Sequence, residues 1–176
     1  MRTTVDWAGE FFKEVQGISK TQIEATVGNN VWLDVFDFGC YVIHKKLADD
    51  LGKDEYAELL QKLEDSAFWI LKTTILKSAF GEDAKADKEF EEVMRDSYKK
   101  RFSAYSEYEG QTWELLSVLL RKDFDKQPGI RFVDKAALAN SKIGTGDFLF
   151  GIEALDDLSK DAEVQFIETA TQLKDA

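Results

Sequence analysis

One segment limits the fold of this chain more than any other: Asn29 to Leu51, NNVWLDVFDFGCYVIHKKLADDL. Read at about 100° per residue, Val31, Trp32, Leu33, Val35, Phe36, Phe38, Cys40, Val42, Ile43 and Leu47 wrap most of a helix. Asp34, Asp37, Tyr41, His44 and Lys45 fall together in the narrow window that remains. A helix that is apolar nearly all round is buried, because no single face can be left to water. It therefore needs neighbours on several sides. Its polar stripe must then face solvent or meet partners inside.

The flanking sequence supplies those neighbours as further helices. Trp7, Phe11, Phe12 and Val15 give an apolar face over about residues 5–16, and Gly17 ends it. Gly28, Asn29 and Asn30 read as a break, with an Asn capping the central helix. After Gly52, the spacing of Tyr56, Leu59, Leu60, Leu63, Ala67, Ile70 and Leu71 predicts a long helix up to Gly81, apolar on more sides past Phe68. Phe90, Met94, Tyr98, Phe102, Tyr105 and Tyr108 make a mostly aromatic face on the next helix, which Gly110 breaks. Thr112 to Phe124 reads as another helix, closed by Gln127–Pro128–Gly129.

Beyond Gly129, the run Ile130–Val133 is apolar but too brief to predict a sheet. Residues 134–141, 147–158 and 161–173 read as short helices, and Gly144–Thr145–Gly146 as a turn. The three long segments between Asn30 and Tyr108 are joined by short glycine turns, which place consecutive helices antiparallel. The expectation is an all-α, up-down antiparallel bundle of long central helices, with shorter helices at both ends. A chain of 176 residues fits a single helical domain, 1–176.

Charge and composition narrow the function classes. A formal net charge of −11 argues against nucleic acid, whose phosphates require a cationic surface. Acids concentrate at the C-terminal end, where residues 147–176 hold eight acids against two bases. Residues 49–65 hold seven acids and two lysines. No apolar run reaches the ~20 residues of a membrane span, and no secretory leader pattern opens the chain. One cysteine, Cys40, allows neither an internal disulfide nor a multi-cysteine zinc site. A cytoplasmic protein is the simplest reading.

The best candidate ligand site is the stripe Asp34, Asp37, Tyr41 and His44, whose neighbours three and four apart can touch on a helix. Two carboxylates beside an imidazole could hold a divalent metal, or a carboxylate could orient the imidazole as a base. A di-metal bundle takes Glu-x-x-His from two helices. Here there is one histidine, with Tyr41 three residues before it, so no metal and no cofactor are expected. A second acidic pattern, Glu89, Glu92 and Asp96 with Glu55 and Glu58, could hold magnesium as in some all-α pyrophosphatases. Lys85, Lys88, Lys99 and Lys100 interleave with those acids, as on a solvated, salt-bridged helix. Gly144–Thr145–Gly146–Asp147 lacks the lysine and glycine spacing of a phosphate loop.

These readings favour a small acidic, non-catalytic protein-binding or regulatory module that meets a basic protein partner. The partner surface is expected around Asp156, Asp157, Asp161 and Glu163. The alternatives are a ligand-binding or enzymatic bundle built on the Asp34–His44 stripe and, further off, a magnesium-dependent phosphohydrolase.

Overall fold

A computed structural model describes residues 25–81, 88–126, 130–133 and 148–175. Within them the chain forms five helices: α1 (Ala25–Asp50), α2 (Lys53–Phe80), α3 (Lys88–Ser106), α4 (Thr112–Phe124) and α5 (Ile152–Lys174). Two short strands, β1 (Ile130–Val133) and β2 (Phe148–Gly151), lie between α4 and α5. The architecture is an all-α bundle carrying this one small ribbon. The segments expected over residues 5–16, 134–141 and 144–146 lie outside the described residues.

The apolar girdle of α1 is explained by its position. Helix α1 packs against all four other helices, most extensively α5 and α4. On one side Val31, Val35, Phe38, Val42, Ile43 and Leu47 join Leu116, Leu120 and Phe124 of α4 and Leu155, Ala162, Phe166 and Ala170 of α5. On the other side Phe36 and Cys40 join Ala67 and Leu71 of α2 and Tyr98 of α3. Two apolar clusters, one on each side, leave α1 almost no face for water. Phe38 meets Phe166 edge to face at 6.2 Å between ring centroids, a favoured aromatic geometry.

Ion pairs and one cation–π contact fix the helix directions. Lys72 and Asp65 of α2 meet Glu91 and Arg95 of α3 in that order, so α2 and α3 run antiparallel. Arg121 and Trp113 of α4 meet Asp156 and Lys160 of α5, so this pair is antiparallel too. The turns behave as their residues dictate. Gly81 stops α2 with φ +92°, a conformation open to glycine at little cost. A Cβ at Gly110 would collide with the Tyr108 ring and the Glu114 carboxylate. Gln111 and Glu114 then form a reciprocal capping box at the start of α4.

Four local expectations are corrected. Gly28, Asn29 and Asn30 do not break the chain; they lie inside α1. Gly28 is buried, so there tertiary packing overrides a weak helix propensity. Ile130–Val133 does form a sheet strand, pairing in parallel with Phe148–Gly151 so that Ile130 faces Phe148 and Val133 faces Gly151. Its partner is distant in sequence, so local pattern alone could not reveal it. The two closing helices are one: α5 runs unbroken across Ser159 and Lys160, because Leu155, Ala162, Phe166 and Ala170 keep one buried face in register. The C-terminal end thus carries a long helix. Past Phe68, finally, the apolar wrap expected of α2 is only partly buried: Leu71 faces the core, whereas Trp69 is 63% exposed.

Candidate functional site

The polar stripe of α1 faces protein. It lies against α3 and α4, forming a polar seam between the two apolar clusters. Asp37 is fully buried and pairs with Arg101 of α3. Burial pushes its carboxyl up to about 6, and the Arg101 guanidinium only partly offsets that cost. Asp34, one turn earlier and half-buried, takes Asp123 of α4 as its side-chain partner. Burial, then the hydrogen bond and charge of Asp123, push the Asp34 carboxyl up to about 8. Two ionised carboxylates offer each other no donor. The contact becomes a hydrogen bond when Asp34 keeps its proton and donates it. Asp123 is 5% exposed and accepts from Lys126 Nζ at 2.6 Å.

His44 lies further along the same stripe and is buried, with its ring edge against Phe102 at 5.2 Å. Among the described residues its Nε2 has no hydrogen-bond partner, and burial lowers its pKa to about 4. The imidazole is therefore neutral at pH 7. Tyr41 packs edge-on against Phe102 and Tyr105, at 5.9 and 5.7 Å. Burial raises its phenol above the ordinary value. Lys45, at the rim, donates to Thr112 Oγ1 at 3.1 Å.

The stripe residues thus come together with Tyr98 and Tyr105 from the aromatic face of α3 and with two groups that sequence reading did not place at the site, Arg101 of α3 and Asp123 of α4. A signal existed for Asp123, which repeats the buried spacing of Leu116 and Leu120 on an otherwise apolar face. Arg101 gave none, because it follows Lys99 and Lys100, both exposed. Burial first, then nearby negative groups, push the Tyr98 and Tyr105 phenols far up, so both are neutral donors. Cys40 is fully buried and its thiol is pushed up mainly by desolvation. It is a poor nucleophile.

The other candidates separate. Glu91 at the start of α3 pairs with Lys72 of α2 at 2.8 Å. Glu89 and Glu92 flank Glu91. Glu58 lies fourteen residues before Lys72, about 21 Å along the helix axis. The two acid pairs proposed for magnesium are therefore not brought together, and Glu58 pairs with Lys62 instead. Among the described residues no group of three or more His, Cys, Asp or Glu is arranged to hold a metal ion. A small cleft between α2 and α3 is lined by Glu64, Phe68, Arg95, Tyr98 and Lys99. Its volume of about 20 Å³ suits a single water.

The four acids expected to meet a partner occupy different settings on α5. Asp156 is turned inward, accepting from Ser117 Oγ at 2.5 Å and Arg121 Nη2 at 3.1 Å. Asp157 is exposed and pairs with Lys160 at 3.2 Å. Asp161 is exposed and Glu163 half-buried. No described helix is long and apolar enough to cross a membrane. Comparison with family models, curated proteins and solved structures finds no match to this chain.

Proposed function

We propose that this chain is a small acidic, non-catalytic protein-binding and regulatory module that meets a basic partner through the outward face of α5. One observation carries the reading: acids recur along that face at helical spacing, with an apolar residue among them. Glu153, Asp157, Asp161 and Glu168 are exposed, and Val164 lies between the last two, 52% exposed. Among the described residues no cation pairs with Asp161 or Glu168. Such a face offers a basic partner steering charge and a small apolar contact. The seam on α1, in contrast, spends its polar groups on α3 and α4. A cytoplasmic location is part of the proposal, since one cysteine provides no internal disulfide for an oxidising compartment.

The salt dependence of binding to an identified basic partner tests this reading. Asp157→Lys with Asp161→Lys should weaken binding at least about tenfold in 50 mM salt and flatten its dependence on ionic strength. Asp156 is left intact because it holds Ser117 and Arg121. An unchanged affinity and salt slope would remove α5 as the partner face.

A ligand-binding or enzymatic bundle is the second reading, supported by His44 Nε2, which is buried and has no hydrogen-bond partner among the described residues. His44→Gln should abolish ligand binding while leaving the fold intact if that reading holds.

A further inference from the structure

The start of α4 and the middle of α5 meet around one aromatic ring. Trp113 of α4 is half-buried. Its indole N–H donates to Gln111 Oε1 at 2.9 Å, and Gln111 is itself held by the capping box it shares with Glu114. The orientation of the ring is therefore set before any ligand arrives. Lys160 of α5 places its ammonium 4.7 Å from the centre of that ring. The same ammonium lies 3.2 Å from Asp157 Oδ1. An indole face, the best of the aromatic partners for a cation, and a carboxylate thus hold one cation where the two helices meet.

We propose that the Trp113 ring and the Asp157 carboxylate form a binding site for a lysine or arginine side chain of the basic partner, and that Lys160 fills it as an internal substitute until the partner's cation displaces it. This inference rests on the reading of α5 as the partner face. It names the contact that a partner's cation takes there and the residue that competes for it.

The surroundings support this assignment. Asp157, Lys160, Asp161 and Val164 follow helical spacing along one side of α5, and all four are exposed. A cation that enters the site therefore has a second carboxylate and a small apolar contact beside it. The internal pair of Lys160 and Asp157 is itself exposed, and such pairs are weak because water and salt screen them. Lys160 has a flexible stem that lets its ammonium return to water. A partner that covers the site excludes water, which strengthens the contacts of the incoming cation with both ring and carboxylate. While Lys160 stays, the apparent affinity is lowered by the fraction of time the site is taken.

Titration of the full chain with the peptide tetralysine at low salt, followed by nuclear magnetic resonance, tests the site. Lys160→Met should bind the peptide about threefold more tightly than the wild type, because no internal cation then has to leave. In a Trp113→Leu background the same substitution should gain less than about 1.5-fold. No gain in Lys160→Met overturns the proposal. So does an equal gain with and without the indole, since loss of one positive charge would then account for it. Asp157→Lys with Asp161→Lys separates this site from the wider reading. Weaker binding there, with no gain in Lys160→Met, removes the site and leaves α5 as the partner face; no change in either removes both. Should the Trp113 variant fail to fold, the ε-methylene protons of Lys160 in the wild type decide. The indole ring current shifts them upfield, and saturating tetralysine should return them towards ordinary values. Protons that stay where they were overturn the proposal.

Discussion

Arg101 reaches from α3 to the fully buried carboxylate of Asp37 on α1 and forms the ion pair at the centre of the polar seam. The pair joins two helices that also share aromatic contacts, Tyr41 and His44 with Phe102. It lets α1 carry a polar stripe although apolar clusters flank it on both sides.

Removing the cation alone leaves a buried carboxylate without its partner. Arg101→Met should cost about 3 kcal/mol in urea denaturation at pH 7, at the lower end of the range for buried pairs because Arg101 is part exposed. Adding Asp37→Asn to that variant should restore much of the loss, since no buried charge is then left. Equal losses in the single and double variants would mean that packing of the arginine stem, not the pair, carries the effect.

The pH dependence of stability isolates His44. Its folded pKa, about 4, lies below the ordinary 6.5. The unfolded chain therefore binds more protons between those values. The contribution of His44 is complete above pH 6.5 and is lost as pH falls towards 4. Asp37, raised to about 6, acts with the opposite sign in part of that window. The informative quantity is thus the difference between wild type and His44→Gln. That difference should favour the wild type increasingly from pH 4 to 6.5, by roughly 2–3 kcal/mol. A difference that does not change with pH would place the imidazole in water.

Packing makes a sharper contrast. Phe166 is 1% exposed and meets Phe38, whereas Trp69 is 63% exposed. Phe166→Ala should cost about 3–5 kcal/mol by leaving a cavity. Trp69→Ala should stay within about 0.5 kcal/mol. Thermal or denaturant unfolding of the two variants distinguishes these outcomes, and comparable losses would contradict the described packing.

The bundle was legible in the sequence because helical periodicity is a local signal and four of the five helices announce themselves by it. The limits of α2 and α4 follow from Gly52, Gly81, Gly110 and Gln111. The stripe Asp34–Asp37–Tyr41–His44 was legible as a row, but not its direction, because that depends on which helix packs there. Arg101 was hidden for the same reason: it reads as an ordinary surface charge until α3 is laid on α1, whereas Asp123 showed itself by repeating the spacing of Leu116 and Leu120. The β1–β2 pairing was illegible because neither four-residue run specifies a partner so far along the chain. The single α5 was misread as two helices because Ser159 and Lys160 suggest a break, whereas Ser159 is buried inside the helix.

We propose that the outward face of α5 meets a partner while the seam on α1 serves the fold. Affinity for one identified basic partner, measured side by side for two variants by calorimetry at 50 mM salt, tests it most directly. His44→Gln should bind within about twofold of wild type, and the Asp157→Lys, Asp161→Lys variant at least about tenfold more weakly. Loss of binding in His44→Gln with full binding in the α5 variant would contradict the account and return the function to the stripe.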